Sequence, residues 1–320
     1  MRHLIWGVVA LLTLAACEST DDGAGGDVSA DSGSRGEGAD AAPDGGSGGS
    51  GGRASLDPAP QFNTPGEYGC EGCPDTPVDV FTRTLSMQTS TALVGPVTGA
   101  AGNGQLYVRG PGGEELLLPL PTTAAGDYAI ELPLFCGTQL VKCIWSNDAG
   151  TYVLVTEVVT TDCREPDIRV TLSWDALGDD FELHLVREGG KINQPGEDCT
   201  WTTCVGAGPD WGAAGDASDD PLKDVDDTGD YGPENIFLAG AAPGVYTVLV
   251  EHWDTGDPLA DGEVTIFSGG ASTRLTLTDL APKHVVTVAT VEWPSGRVTP
   301  VGGETDCTAS WNGGCTLPLP

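Results

Sequence analysis

The chain has 320 residues, with 47 Asp plus Glu against 14 Lys plus Arg and a formal net charge of −33. A field of that sign repels polyanions, which excludes nucleic acid and anionic membrane surfaces as partners and makes hard divalent cations the natural counterions. The length has room for about two domains of ordinary size.

Residues 1–17 read as an export signal. Arg2 and His3 form a short polar start, and residues 4–12 form an apolar run too short to be a stable bilayer span. The segment ends in LAAC, which resembles the bacterial lipoprotein signal of Leu and two small residues before Cys. The resemblance implies that Cys17 is diacylated on sulfur and becomes the mature N-terminus. A plain secretory signal cut at an A-x-A-like site is the alternative. Each buried CH2 of an acyl chain contributes ~0.8 kcal/mol, so two or more chains anchor firmly. The expected location is the bacterial cell envelope, lipid-anchored, with the membrane and its face left open.

Residues 18–61 are Gly, Ser, Ala and Asp with almost no large apolar side chain, and the linker is expected to run to residue 69. Such a composition buries too little surface to offset backbone entropy and reads as disordered. As a flexible coil of roughly 45 residues it spans about 35–40 Å, the length of a stalk. GGSGG at 45–49 fits the hydrolase pattern GxSxG by chance, because a nucleophile elbow needs a strand before it and a helix after it.

Residues 70–164 show short strands broken by Gly and Pro turns. QLYVRG, YAIELPL, QLVKCIWS and TYVLVTEVV alternate or are β-branched, and NDAG at 147–150 is a hairpin turn. The pattern predicts a β-sandwich. The run GDYAIELPLFCGTQLVKCIWSNDAGTYVLVTEVV resembles bacterial immunoglobulin-like modules, a resemblance that implies an extracellular spacer.

Export implies an oxidising compartment, where cysteines default to disulfides. Of the ten cysteines, lipidation of Cys17 leaves nine, so one is unpaired in a monomer. Short spacings pair Cys199 with Cys204 and Cys307 with Cys315. Cys70 and Cys73 pair with each other or reach elsewhere, and Cys136 and Cys163 sit where they can close the sandwich. Cys143 shares a face with Val141 and Trp145 and is expected to be the buried free thiol. A zinc site from Cys70, Cys73, Cys136 and Cys143 is disfavoured by the six residues between its second pair.

A second sandwich is expected over 165–295. DIRVTLSWD turns Ile168, Val170, Leu172 and Trp174 inward, FELHLV turns Phe181, Leu183 and Leu185 inward, and further strands run to about Trp293. His184 falls on the outward face and reads as a surface residue. Residues 296–320 have no periodic core and read as a tail pinned by a disulfide. RVTLSWD, DDFELHL, KDVDDTGDYGPENI and APGVYTVLVEHW together resemble the YfaP-like β-sandwich domains of bacterial surface proteins. The resemblance implies fold and location more than an activity, and Glu182 stands where that family usually has Asp.

The acidic run DVDDTGDYGPEN at 224–235 has the oxygen spacing of a calcium loop. Calcium takes six to eight oxygens at 2.3–2.6 Å and tolerates irregular geometry. Asp224, Asp226, Asp227, Thr228, Asp230, Glu234 and Asn235 supply candidates, with Asp180 and Glu182 completing the shell from the neighbouring strand. Strands flank the run and its twelfth residue is Asn235, so it is no EF-hand. The alternative is a solvated acidic loop. HExxH is absent from the sequence, which argues against zinc hydrolysis.

The leading functional expectation is a non-enzymatic surface lipoprotein that displays binding or structural modules stiffened by calcium. Its partners are the membrane through the lipid anchor and a glycan or envelope protein. The alternative is a carbohydrate-binding module using Trp201 and Trp211, since sugar faces stack on aromatic rings. A hydrolase using paired carboxylates is the third reading.

Overall fold

A computed structural model of the chain describes residues 55–78, 82–86, 90–204, 208–229, 231–254, 259–309 and 314–315. Cys17, the stretch up to residue 54 and Asp230 lie outside the described residues. Among the described residues the regular structure is strand, apart from one helical turn, α1 (Trp201–Cys204).

The first sandwich comprises β1 (Gly66–Tyr68), β2 (Thr82–Ser86), β3 (Ser90–Pro96), β4 (Gly104–Arg109), β5 (Glu115–Leu120), β6 (Asp127–Pro133), β7 (Gly137–Asn147) and β8 (Gly150–Thr161). One sheet runs β1-β8-β7-β4-β5 with β2 parallel to β8, and β3 pairs with β6 in the other. The NDAG turn joins β7 to β8 as its residues dictate. Asn147 Oδ1 accepts from the amides of Ala149 (2.9 Å) and Gly150 (3.2 Å), a turn built by an Asn side chain. A Cβ on Gly150 would lie 2.9 and 3.0 Å from the Cys70 and Cys73 sulfurs, so only glycine fits there.

Along β7, Val141, Cys143 and Trp145 are buried as their alternation requires, and Lys142 and Ile144 on the opposite face are buried too. Residues 55–68 cover that second face. Lys142 Nζ donates to Asp57 Oδ2 at 2.5 Å and to Ala59 O at 2.8 Å. Phe62 stacks on Tyr68 with ring centroids 4.4 Å apart, and both pack against Ala59, Ile144, Val153 and Val155. The expected linker boundary at residue 69 is therefore corrected: residues 55–69 belong to the folded part. Two aromatic rings, one buried ion pair and the Leu56 amide donating to Glu115 Oε2 at 3.0 Å hold a segment otherwise poor in apolar side chains.

The second sandwich comprises β9 (Ile168–Trp174), β10 (Asp180–Val186), β11 (Asp198–Cys199), β12 (Pro221–Lys223), β13 (Glu234–Leu238), β14 (Gly244–Asp254), β15 (Ala260–Ser268), β16 (Ala271–Leu280), β17 (His284–Trp293) and β18 (Arg297–Asp306). Its sheets run β11-β10-β14-β17-β18 and β12-β13-β9-β15-β16. The inward residues of β9 and β10 meet in one core, with Trp174 and Phe181 centroids 5.4 Å apart. Strand β18 corrects the expectation of a strandless segment after residue 295: it pairs antiparallel with β17 from Arg297 opposite Glu292 to Asp306 opposite His284. Pro300, Gly302 and Gly303 break its pattern, and only an edge strand tolerates them. Its side chains are almost all exposed.

Arg169 of β9 joins the two sandwiches. Its buried guanidinium lies 4.4 Å from the Phe135 ring and 4.9 Å from the Phe237 ring, and donates to Leu134 O at 2.7 Å. Glu165 is its ion-pair partner at 3.4 Å. Phe267 of β15 packs edge-on against Phe135 at 5.3 Å and joins the core of the first sandwich. Four disulfides staple the fold: Cys70–Cys73, Cys136–Cys163, Cys199–Cys204 and Cys307–Cys315. Cys143 is the free cysteine among the described residues, and burial pushes its thiol up to about 12.

Candidate cation site in the second sandwich

Four elements at one edge of the second sandwich bring charged side chains to a single point. Glu182 comes from β10, Glu234 from β13, Lys223 from the end of β12 and Asp226 from the loop that follows. Glu182, Asp226 and Glu234 each offer a carboxylate oxygen within 4.8 Å of the others, a spacing that can hold a metal ion. Like charges about 4 Å apart repel by about 4 kcal/mol at intermediate dielectric, so such a group needs a cation or protons.

In this structure the cation among those oxygens is the Lys223 ammonium. Nζ lies 2.9 Å from Glu234 Oε2, 3.0 Å from Glu182 Oε2 and 3.8 Å from Asp226 Oδ1, and the Lys223 side chain is 1% exposed. Thr200 Oγ1 donates to Glu182 Oε2 at 2.7 Å, and the Leu183 amide donates to Glu234 Oε2 at 2.8 Å. Glu234 thus reaches from one sheet to the backbone of the other.

The protonation of these groups follows from the geometry. Burial opposes ionisation of Glu182, but Lys223, His184 and the Thr200 hydroxyl outweigh it and hold the carboxyl below its ordinary value. Burial dominates at Glu234, raising it well above the usual carboxylate range. Burial, with Glu182 as an unfavourable neighbour, raises Asp226 to about 6 despite Lys223. Lys223 itself would be lowered by burial, yet Glu234 and Glu182 raise it above the ordinary lysine value.

The remaining expected oxygen ligands do not join this triad. Asp227 folds back on its own loop, Oδ1 accepting from the Gly229 amide at 3.1 Å and Oδ2 from the Gly232 amide at 3.0 Å. Thr228 is exposed. Asn235 neighbours Glu234 on a strand and so points to the opposite face, where its Oδ1 accepts from Thr171 Oγ1 at 2.8 Å. Asp224 lies toward Asn235, Ser90 and Arg169; both its oxygens are buried, and burial raises it to about 6. Asp180 begins β10 opposite Asp254. Alternate spacing along a loop did not survive folding, because β12 ends at Lys223 and the chain leaves strand geometry there.

A second buried polar group lies on the same face of β10. His184 Nδ1 is 2.8 Å from Asp198 Oδ2 and Nε2 is 3.5 Å from Glu251 Oε2, all three fully buried. Burial alone would lower the imidazole; the Asp198 and Glu251 carboxylates win and raise it to about 10. The expectation of a surface His184 is corrected. Alternation does place it on the outer face, but Asp198, Asn193 and Cys315 meet it and its partner Glu251 there. The Cys315 amide donates to Glu251 Oε1 at 2.5 Å, and Asn193 Nδ2 donates to Cys315 O at 2.9 Å. Glu251, the partner of His184, meets Cys315 far along the chain, a long-range relation that periodicity does not carry. His252 stacks on Phe181 at 4.5 Å with Nδ1 donating to Leu280 O at 2.9 Å, so it serves the core.

The two expected aromatic ligands part ways. Trp201 is 45% exposed beside Thr200. Trp211 is buried, donates Nε1–H to Gly196 O at 3.0 Å and packs 5.9 Å from Tyr246, which removes it as a stacking platform.

No protein-family profile matches the chain, and no curated protein matches it. Solved structures do match in part. A titin fragment is 10% identical over 64% of this chain and 97% of its own, with a TM-score of 0.22. A tetra-tandem repeat from the extending region of a large adhesion protein is 12% identical over 71% of this chain and 74% of its own, with a TM-score of 0.21. The Bacteroides ovatus mixed-linkage glucan utilization locus SGBP-B, solved with a mixed-linkage heptasaccharide, is 12% identical over 73% of this chain and 68% of its own, with a TM-score of 0.20. At such scores the all-β class rests on the strands and pairings described above.

Proposed function

We propose that the chain is a non-enzymatic display module, tethered to the bacterial cell envelope through lipid on Cys17 and presenting two β-sandwiches on a Gly/Ser-rich stalk. The observation that carries this reading is where the reactive side chains go. His184, Asp198, Glu251, Glu182, Glu234 and Lys223 are buried and committed to one another. His252 is committed to the core. Groups held this way stiffen a scaffold; general acid–base work needs them within reach of a substrate proton. The Arg169 rivet supports the same reading, since it makes one body of two sandwiches. Metabolic labelling with an alkynyl fatty acid tests the tether: label on the full chain, lost in Cys17→Ala together with membrane association, is the expected result. An unlabelled, freely released chain contradicts it. Hydrolysis of glycoside or peptide substrates that falls away in Glu182→Gln would contradict the non-enzymatic part.

One observation favours a glycan as the displayed module's ligand. Trp201 is 45% exposed at the start of α1. An exposed indole offers the flat apolar face on which a sugar ring stacks. Binding on a glycan array that disappears in Trp201→Ala is the expected result; binding unchanged by that substitution moves the site elsewhere.

A further inference from the structure

The oxygen-rich group of Glu182, Asp226 and Glu234 is where calcium is expected from the sequence, and as folded it does not fit calcium. Calcium sits 2.3–2.6 Å from its ligand oxygens. The point between these oxygens is held by an ammonium nitrogen at 2.9, 3.0 and 3.8 Å. An ion placed there would overlap Nζ and meet its like charge in a dry site. Lys223 cannot simply swing aside in the fold as it stands, because its side chain is 1% exposed and lies between β10 and β13.

We infer that Lys223 is the resident cation of this cluster, a built-in ammonium that closes the edge of the second sandwich in the place expected for calcium. The ammonium supplies three donors, and two of them meet glutamates fixed by other bonds: Glu182 by Thr200, Glu234 by the Leu183 amide. Four separate segments therefore depend on one nitrogen. The inference is independent of the lipid tether and of any glycan. It assigns the acidic loop a structural cation carried in the chain itself, so the folded protein keeps its stability in a medium without divalent ions.

The corollary is that removing the ammonium creates the metal site. Without Lys223 the three carboxylates keep their spacing but lose their counterion, which leaves an oxygen-only pocket suited to a hard divalent ion. The test compares the full chain with Lys223→Met by thermal unfolding in 5 mM CaCl2 and in EDTA, with terbium luminescence as a direct probe of ion entry. For the native chain the expected melting temperature is the same in both media, with no sensitised terbium emission from this site. For Lys223→Met the expected result is a melting temperature lower by roughly 10 °C in EDTA and partly restored by calcium. If the variant does not fold, the native chain still decides. A native melting temperature raised several degrees by calcium, or terbium emission abolished by Glu234→Gln, overturns the inference. So does a Lys223→Met chain as stable as the native one in EDTA.

Discussion

His184 shows what burial does to a single residue here. Its imidazole sits between two carboxylates, and its value of about 10 lies above the ordinary 6.5. A group whose folded value is raised contributes stability that is fully present below about 6.5 and is lost as pH rises through about 10. Denaturant unfolding at pH 6 and pH 9.5 should therefore show a loss of a few kcal/mol between the two, and His184→Gln should remove most of that slope. The variant is also less stable at pH 6, by about 3–5 kcal/mol, because it leaves Asp198 and Glu251 buried without their cation. Nitrogen NMR at pH 8 should find both ring nitrogens protonated; a neutral ring at that pH contradicts the pairing. At the acidic extreme Glu182 acts with the opposite sign. Its folded value is depressed, so its contribution fades as pH falls below the ordinary glutamate range.

At the scale of elements, the first sandwich depends on a segment that composition assigns to the stalk. Residues 55–68 cover the outer face of β7 and β8 through Asp57, Ala59, Phe62 and Tyr68. Lys142→Met should cost about 3–5 kcal/mol by leaving Asp57 buried without its partner, and limited proteolysis should then cut near residue 60 first. Protection of that segment equal to the native chain's would show that the rings alone hold it. The Cys136–Cys163 disulfide closes a loop of sequence separation 27 and should contribute about 3–4 kcal/mol in the unfolded-state model, read as the loss in Cys136→Ala/Cys163→Ala. These cases show where the sequence was legible. Alternation exposed the inward faces of β7, β9 and β10, and local spacing exposed the Cys199–Cys204 and Cys307–Cys315 pairs. The packing of residues 55–68 on β7, the edge strand β18 and the burial of His184 were not legible. Each is fixed by contact with residues far along the chain, and none alters the local period. In the acidic loop, spacing brought forward Glu182, Asp226 and Glu234 but gave no sign that Lys223 would enter among them.

On the scale of the whole molecule, Arg169 ties the two sandwiches together by lying between rings from both. Arg169→Ala should cost about 2–4 kcal/mol and split a single calorimetric transition into two, since it removes the buried cation stacked between rings of both sandwiches. One unsplit transition would place the coupling elsewhere. A net charge of −33 repels polyanions, while Arg169 and Lys223 of the second sandwich lie buried among their partners. The Lys223 ammonium can be seen directly. Nitrogen–proton NMR of the lysine side chains in the full chain should show one ammonium signal exchanging slowly with water at pH 7, coupled across hydrogen bonds to two glutamate carboxyls and unchanged by 5 mM CaCl2. Loss or displacement of that signal on adding calcium would show a metal taking the place assigned to Lys223, and would contradict the account.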